Sequence, residues 1–462
     1  TVIATLGGLA HYSWVFSAYL LTSTASVPIW GRLSDLYGRR RMYLAGIAVF
    51  LLGSALSGAA ASMTQLIVFR AVQGLGAGAV LPLGMTIIGE LYTLRERARA
   101  QALFSGVWGV SSIAGPLVGG YITDALTWRW VFFLNLPFGV FAAAVIALAY
   151  PAARPKAGVA LDWTGAALLF AGVTALLVAL SDATTAVVPW LLATVVLVIV
   201  FTMVERRAAE PILPLDLLRH RLISRSLLVA FLSGAAMFGS IAFVPLFVQG
   251  VMGGSATEAG QALTPLFLGW VTMSILSARL AVRIGYRPMV IAGGVALTVG
   301  FALLAMLDAD TSRATLLTAV LSLGCGMGLS MLPLLLAVQH GVDRSHLGVA
   351  TSLNQFARSV GSAVGVALMG VLLARGLQGT ALPGGGFGMT AGIVKLEGLA
   401  RMRFAEALAR VFAAGAVMSV AALFASFFLP PVDLSHGVPK GAGETMLAAE
   451  MGNLEPDDEP IS

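Results

Sequence analysis

Cysteine, charge and histidine are all scarce in this chain of 462 residues, and each scarcity removes a class of function. A single cysteine, Cys325, excludes an internal disulfide framework and any thiolate cluster. Five scattered histidines, without the acid–histidine spacing of a metal site, argue against a metalloenzyme. Neither His340 nor His346 has a neighbour suited to catalysis, so no enzyme, metal or cofactor is expected. Charged residues make up 11% of the chain, against about 25% in soluble globular proteins. Hydrophobic residues make up 58%, and the mean hydropathy is +0.90. So little polar side chain cannot cover a domain surrounded by water, and lipid is the expected solvent. The net charge of +6 does not point to nucleic acid, because the charges sit between apolar runs. Arginines number 25 and lysines three, a bias that with abundant alanine suits a GC-rich bacterial genome.

A helix needs about 20 apolar residues to cross a hydrocarbon layer of roughly 30 Å. Thirteen stretches of that order occur, at 13–31, 43–61, 66–90, 100–122, 130–150, 163–181, 187–204, 225–249, 259–281, 289–307, 314–338, 350–374 and 410–429. The expected fold class is an all-α polytopic membrane protein. Pro245 and Pro265, and Gly324, Gly326, Gly328 and Pro333, are expected to break their spans. The segment 431–462 has too few apolar residues to pack and reads as a disordered tail. If the loop at Arg39, Arg40 and Arg41 is cytoplasmic, alternation puts 19 of the 28 Lys and Arg on that side. Thr1 then lies outside, and a fourteenth span ahead of it is expected.

The stretch Gly31–Met42 (GRLSDLYGRRRM) reappears as Ala278–Met289 (ARLAVRIGYRPM), each copy following an outside-to-inside span. Parallel halves of this kind are a route to alternating access. Eight spans separate the copies where a six-span repeat predicts six, so 163–181 and 187–204 are expected to be an insertion. The expected units are therefore 1–155, an N-terminal bundle; 156–210, two additional spans and a linker; 211–430, a C-terminal bundle; and the tail.

Four constellations carry candidate chemistry. Gly31 to Arg41 crowds Asp35 with Arg32, Arg39 and Arg40 around Gly38. Asp35 at its helix end could pair with basic groups, or with the positive N-terminal end of another helix, and release them in a second conformation. The plainer alternative is that these arginines only enforce topology. In the second copy Val282 replaces Asp35, so any latch is asymmetric. Within 66–78, Arg70, Gln73, Gly74 and Ala77 share one helical arc, with Gly78 at its edge. An arginine inside a span costs about 2.5–3.5 kcal/mol on insertion scales and marks a pathway, unless it snorkels to the headgroups. Within 108–120, Gly109, Ser112, Pro116 and Gly120 line one side of a helix that Pro116 kinks; helix packing alone would also explain this. Asn354, Arg358 and Ser362 fall at i, i+4 and i+8, and the apolar remainder after them is too short to span, so this stripe is immersed. Trp108, Phe238 and Trp270 are aromatic candidates for a cavity wall.

The loop at Asp35 resembles the loop 2–3 signature of the major facilitator superfamily. The pattern at Arg70 is similar to its fourth-helix motif, whose arginine is linked to proton coupling. Gly115–Pro116 followed by Gly119–Gly120 resembles the fifth-helix antiporter motif, with Ser111 standing where the family has an earlier glycine. With the extra central spans, the whole resembles the fourteen-span drug:proton antiporter branch. The resemblance implies two six-helix bundles with two extra central helices. It also implies proton-coupled efflux of lipophilic or amphipathic small molecules across the bacterial plasma membrane by a monomer. Arg70, Gln73 and Glu90 would serve coupling, with an acid in the preceding span as proton carrier. An exporter of an endogenous metabolite or lipid, and a non-transporting sensor or scaffold, remain alternatives.

Overall fold

A computed structural model describes residues 5–6, 12–151, 162–181, 187–208, 210–377 and 398–431. The expected tail lies outside the described residues except for Pro431. So do the side chains of Trp108, Ser112, Pro116 and Gly120.

Among the described residues the chain forms thirteen long helices. They are α1 (Tyr12–Tyr37), α2 (Arg39–Ala59), α3 (Met63–Leu91), α4 (Leu94–Ala125), α5 (Trp130–Ala149, bent at Leu134), α6 (Trp163–Ser181), α7 (Val187–Glu205), α8 (Arg221–Gly250), α9 (Thr264–Ile284), α10 (Tyr286–Ala305), α11 (Arg313–His340), α12 (Leu347–Gly376) and α13 (Gly398–Phe427). Each matches one of the thirteen apolar stretches. Eleven pass both the length and the apolarity needed to cross a bilayer. The other two, α1 and α4, are long enough but carry many Ser, Thr, Tyr and Gly residues.

Helix ends follow local chemistry. Ser62 and Ser312 cap α3 and α11, each accepting a bond of 3.2 Å from the amide three residues on. Gly38 (φ 93°) and Gly285 (φ 85°) divide α1 from α2 and α9 from α10 with a left-handed backbone that side chains resist, so the shared glycine of the repeat is structural.

The expected breaks do not occur. α8 runs through Pro245, α11 runs through Gly324, Gly326, Gly328 and Pro333, and Pro265 sits in the first turn of α9, where its missing N–H costs nothing. The α11 glycines are crossing points instead. A Cβ would stand 2.0 Å from Leu266 O at Gly324, 2.7 Å from Gly293 O at Gly326 and 2.4 Å from Trp270 O at Gly328. The last helix also begins earlier than its apolar stretch, because Arg401 is anchored over the loops that follow α8 and α10. Its Nε donates to Val251 O at 2.7 Å and another nitrogen donates to Ala309 O.

Helices α1–α5 pack as one group and α8–α13 as another, while α7 packs on α6 and α6 leans on α1 and α12. The repeat orders both groups alike. α1 packs on α3 as α9 packs on α11, and α2 packs on α3 as α10 packs on α11. The groups meet along α1–α12 and α4–α9.

Candidate functional site

The joint between the two halves starts from two glycines. A Cβ at Gly31 would lie 2.4 Å from Ser352 Oγ, and one at Gly348 would lie 2.6 Å from Asp35 Oδ1 and 2.8 Å from Gly31 O. Bare backbones therefore cross, and Asp35 reaches the first turn of α12. Its Oδ1 accepts from Gly348 N at 3.0 Å and its Oδ2 from Val349 N at 2.8 Å. Amides in a helix's first turn lack partners within the helix, and the helix dipole makes that end positive, so a carboxylate is the fitting cap. Arg39 Nη2 donates to Asp35 Oδ1 at 2.7 Å, and the Asp35 side chain is 1% exposed. Of the two partners open to Asp35, basic groups or a helix N-terminus, the structure uses both.

Other contacts close the same face. Arg39 Nε lies 3.4 Å from Glu90 Oε2, which also accepts from Tyr150 Oη at 2.6 Å. Arg32 pairs with Glu210, on the stretch between α7 and α8. Gln339 of α11 donates to Met85 O of α3 at 3.2 Å and to Thr351 Oγ1 of α12 at 3.3 Å, and it accepts from Gln101 of α4 at 3.1 Å. This amide hub went unforeseen, because each glutamine is an isolated polar residue in its own helix.

Arg40 does not take part in the joint. It donates to Ala147 O in the last turn of α5, and its repeat counterpart Arg287 donates to Phe427 O of α13 at 2.6 Å. The repeated arginine caps the last helix of each half, satisfying a carbonyl that the helix leaves open.

The second cluster centres on α3. A Cβ at Gly74 would lie 2.4 Å from Tyr19 O, and one at Gly78 would lie 2.6 Å from Ser23 O, so the small-residue seam faces α1. Hydroxyls of α1 bridge it: Thr22 Oγ1 donates to Ala71 O at 2.8 Å and Ser26 Oγ to Leu75 O at 3.2 Å. Arg70 turns inward, its guanidinium 4.0 Å from the Tyr19 ring centroid and its Nε donating to Val15 O at 3.2 Å. It also donates to Gln73 Oε1 at 2.7 Å, and Gln73 continues to Ser54 Oγ at 3.1 Å. Ser54 further accepts from Asn135 at 3.0 Å and donates to Phe132 O at 2.8 Å. Among the described residues no carboxylate pairs with Arg70. Glu90 is not beside it; the twenty residues between them put the two about 30 Å apart along α3.

The remaining candidates separate. Gly109 of α4 meets α9, where a Cβ would lie 2.6 Å from Val271 Cγ2, whereas a Cβ added at Gly115 or Gly119 would meet nothing within 4 Å among the described residues. Pro116 and Gly120 lie on the same helix, with their surroundings outside the described residues, as is the side chain of Trp108. Phe238 and Trp270 pack, partly buried, against the apolar core of α8–α13. They do not line the cleft that holds Asn354 and Arg358. Among the described residues no group of three or more His, Cys, Asp or Glu could hold a metal.

Residues 1–366 match the family model described as Major Facilitator Superfamily. The chain belongs to the major facilitator superfamily. It is a multi-pass membrane transporter fold, and its relatives agree. The multidrug transporter protein MdtP of Bacillus subtilis is 40% identical over 380 residues, 80% of this chain and 70% of the relative. Multidrug resistance protein 3 of the same organism is 35% identical over 378 residues, 80% of this chain and 74% of its own. Among solved structures, the human organic anion transporter MFSD10 superposes with a TM-score of 0.62 at 16% identity, covering 90% of this chain and 83% of its own. The proton:xylose symporter XylE gives 0.60 at 12%, covering 91% and 86%. Both structures share the superfamily fold.

Proposed function

We propose that this chain exports lipophilic or amphipathic small molecules by alternating access, driven by protons, as a monomer in the bacterial plasma membrane. The observation that carries the mechanism is the Asp35 joint. It holds the two halves of the repeat together at the cytoplasmic face through a few polar bonds that must break before that face opens. The multidrug names of relatives at 35–40% identity support the cargo class.

The fourteen-span antiporter branch is part of the same reading, with the chain divided at 155, 210 and 430. In the C-terminal half α8 packs on α12 and α13. By the repeat those helices correspond to α4 and α5, whose outer faces expose Leu103, Val107, Phe138, Phe141 and Leu148. A first span preceding α1 would cover this surface as α8 covers its counterpart. An acid on that span near Arg70 would carry the proton, with Gln73, Ser54 and Asn135 orienting the guanidinium. The opposite charge would hold that acid deprotonated until opening or substrate separates the pair. Gly115, Pro116, Gly119 and Gly120 would form the smooth side of α4 in this branch.

The test is efflux of a panel of amphipathic dyes from cells expressing the gene. Efflux should stop when the proton gradient is collapsed with ATP maintained, and should fall at least tenfold in Arg70→Ala. Efflux that persists without the gradient would reject proton coupling.

A further inference from the structure

Halfway along α12, three helices of the C-terminal half converge on a positively charged cleft. Arg358 is the twelfth residue of α12, about 17 Å from its cytoplasmic start at 1.5 Å per residue and so near the centre of a layer of roughly 30 Å. Gly234 of α8 makes room for it; a Cβ there would lie 2.4 Å from Arg358 O and 2.9 Å from Arg358 Cγ. The cleft is open on one side and has room for about one water molecule, about 10 Å³, between Arg358, Asn354, Ser233 and Ser330 on its polar side and Met331 and Leu334 among its apolar residues.

The polar inventory is unbalanced. The guanidinium donates to Gln355 Oε1, and among the described residues no carboxylate pairs with it. Asn354 is 4% exposed, and its Nδ2 is buried without a hydrogen-bond partner. Ser330 already donates to Gly326 O at 2.8 Å. A fixed positive charge and a spare amide donor thus face one space, beside apolar side chains and without a balancing acid. A planar anionic group is the complement, because a guanidinium fork matches two oxygens at once. An ammonium in the same cleft would meet like charge at low dielectric.

We propose that this cleft binds the anionic head of an amphipathic organic acid, a carboxylate or sulfonate, with Arg358 and Asn354 as the recognising donors. The inference rests on the exporter reading and narrows its cargo to molecules carrying such a group.

The experiment is calorimetric titration of the full chain in lipid nanodiscs with naphthalene-2-sulfonate, naphthalen-2-ylmethylammonium and inorganic sulfate. The sulfonate is expected to bind at least tenfold more tightly than either of the others. Arg358→Gln should shrink the sulfonate-to-ammonium ratio below threefold, and Arg358→Lys should keep the preference. If Arg358→Gln does not fold, Asn354→Leu should weaken the sulfonate severalfold and leave the ammonium unchanged. Equal or tighter binding of the ammonium, sulfate binding as tightly as the sulfonate, or an undiminished preference in Arg358→Gln or Asn354→Leu would overturn the proposal. Binding needs no gradient, so its failure is separable from that of the exporter reading. Efflux without charge preference would remove only the anion site, and sulfonate binding by a chain that exports nothing would remove only the exporter.

Discussion

Replacing Asp35 with asparagine removes the charge at the cytoplasmic joint and keeps the shape. Three donors converge on the carboxylate: Gly348 N at 3.0 Å, Val349 N at 2.8 Å and Arg39 Nη2 at 2.7 Å. Each is a bond to a charged group and contributes about 1.5–3 kcal/mol. The substituted amide keeps one acceptor oxygen and turns N–H donors toward another donor, so the closed form should lose about 2–4 kcal/mol. At 1.4 kcal/mol per factor of ten, the closed-to-open ratio falls by roughly 30- to 700-fold. The assay places a single cysteine at Ser352, which is fully buried opposite Gly31, in a Cys325→Ser background, and follows maleimide labelling from the cytoplasmic side. Labelling should be at least tenfold faster in Asp35→Asn than in native protein. The exposed Arg41, changed to glutamine, should leave the rate unaltered. A rate in Asp35→Asn within twofold of native would refute the reasoning.

Gly31→Ala should also speed labelling of that cysteine, since its Cβ would fall 2.4 Å from the Ser352 Oγ position; an unchanged rate would mean that the helices cross less closely than described. Gly38→Ala and Gly285→Ala force a side chain onto left-handed backbone and should each lower stability by about 1–2 kcal/mol, read as a drop in unfolding temperature. Gln339→Leu strips the hub of its amide and removes the acceptor of Gln101 Nε2, so cytoplasmic labelling should rise, while dye binding to outward-open protein should hold. Arg40→Gln and Arg287→Gln should each cost about 0.3–1 kcal/mol and add in the double variant, because the two caps lie in different halves.

Much of this architecture was legible because apolar length and arginine placement are local signals. The apolar stretches locate all thirteen long helices, and a carboxylate at the end of α1 already suggested a partner that bears positive charge. The identity of that partner was not legible, because Gly348 and Val349 lie more than 300 residues away and contribute only backbone. Gln101, Gln339, Ser54 and Asn135 were missed for the same reason: each completes a bond only across helices. Composition misled at α11, where glycines and a proline suggested a broken helix. The glycines instead allow α9 and α10 to approach, and continuous packing holds the helix through Pro333. Arg40 shared its motif with Asp35 but serves a different helix, which only the parallel contact of Arg287 makes plain.

The account depends on the two halves rocking against each other, so that one face closes as the other opens. Pulsed electron–electron resonance tests this in one molecule, with spin labels at Arg41 and Asp343 across the cytoplasmic face and at Ala61 and Ala314 across the outer face. All four positions are exposed. Going from native protein to Asp35→Asn, the cytoplasmic distance should lengthen while the outer distance shortens. Distances that both lengthen, or that both stay fixed, would contradict it.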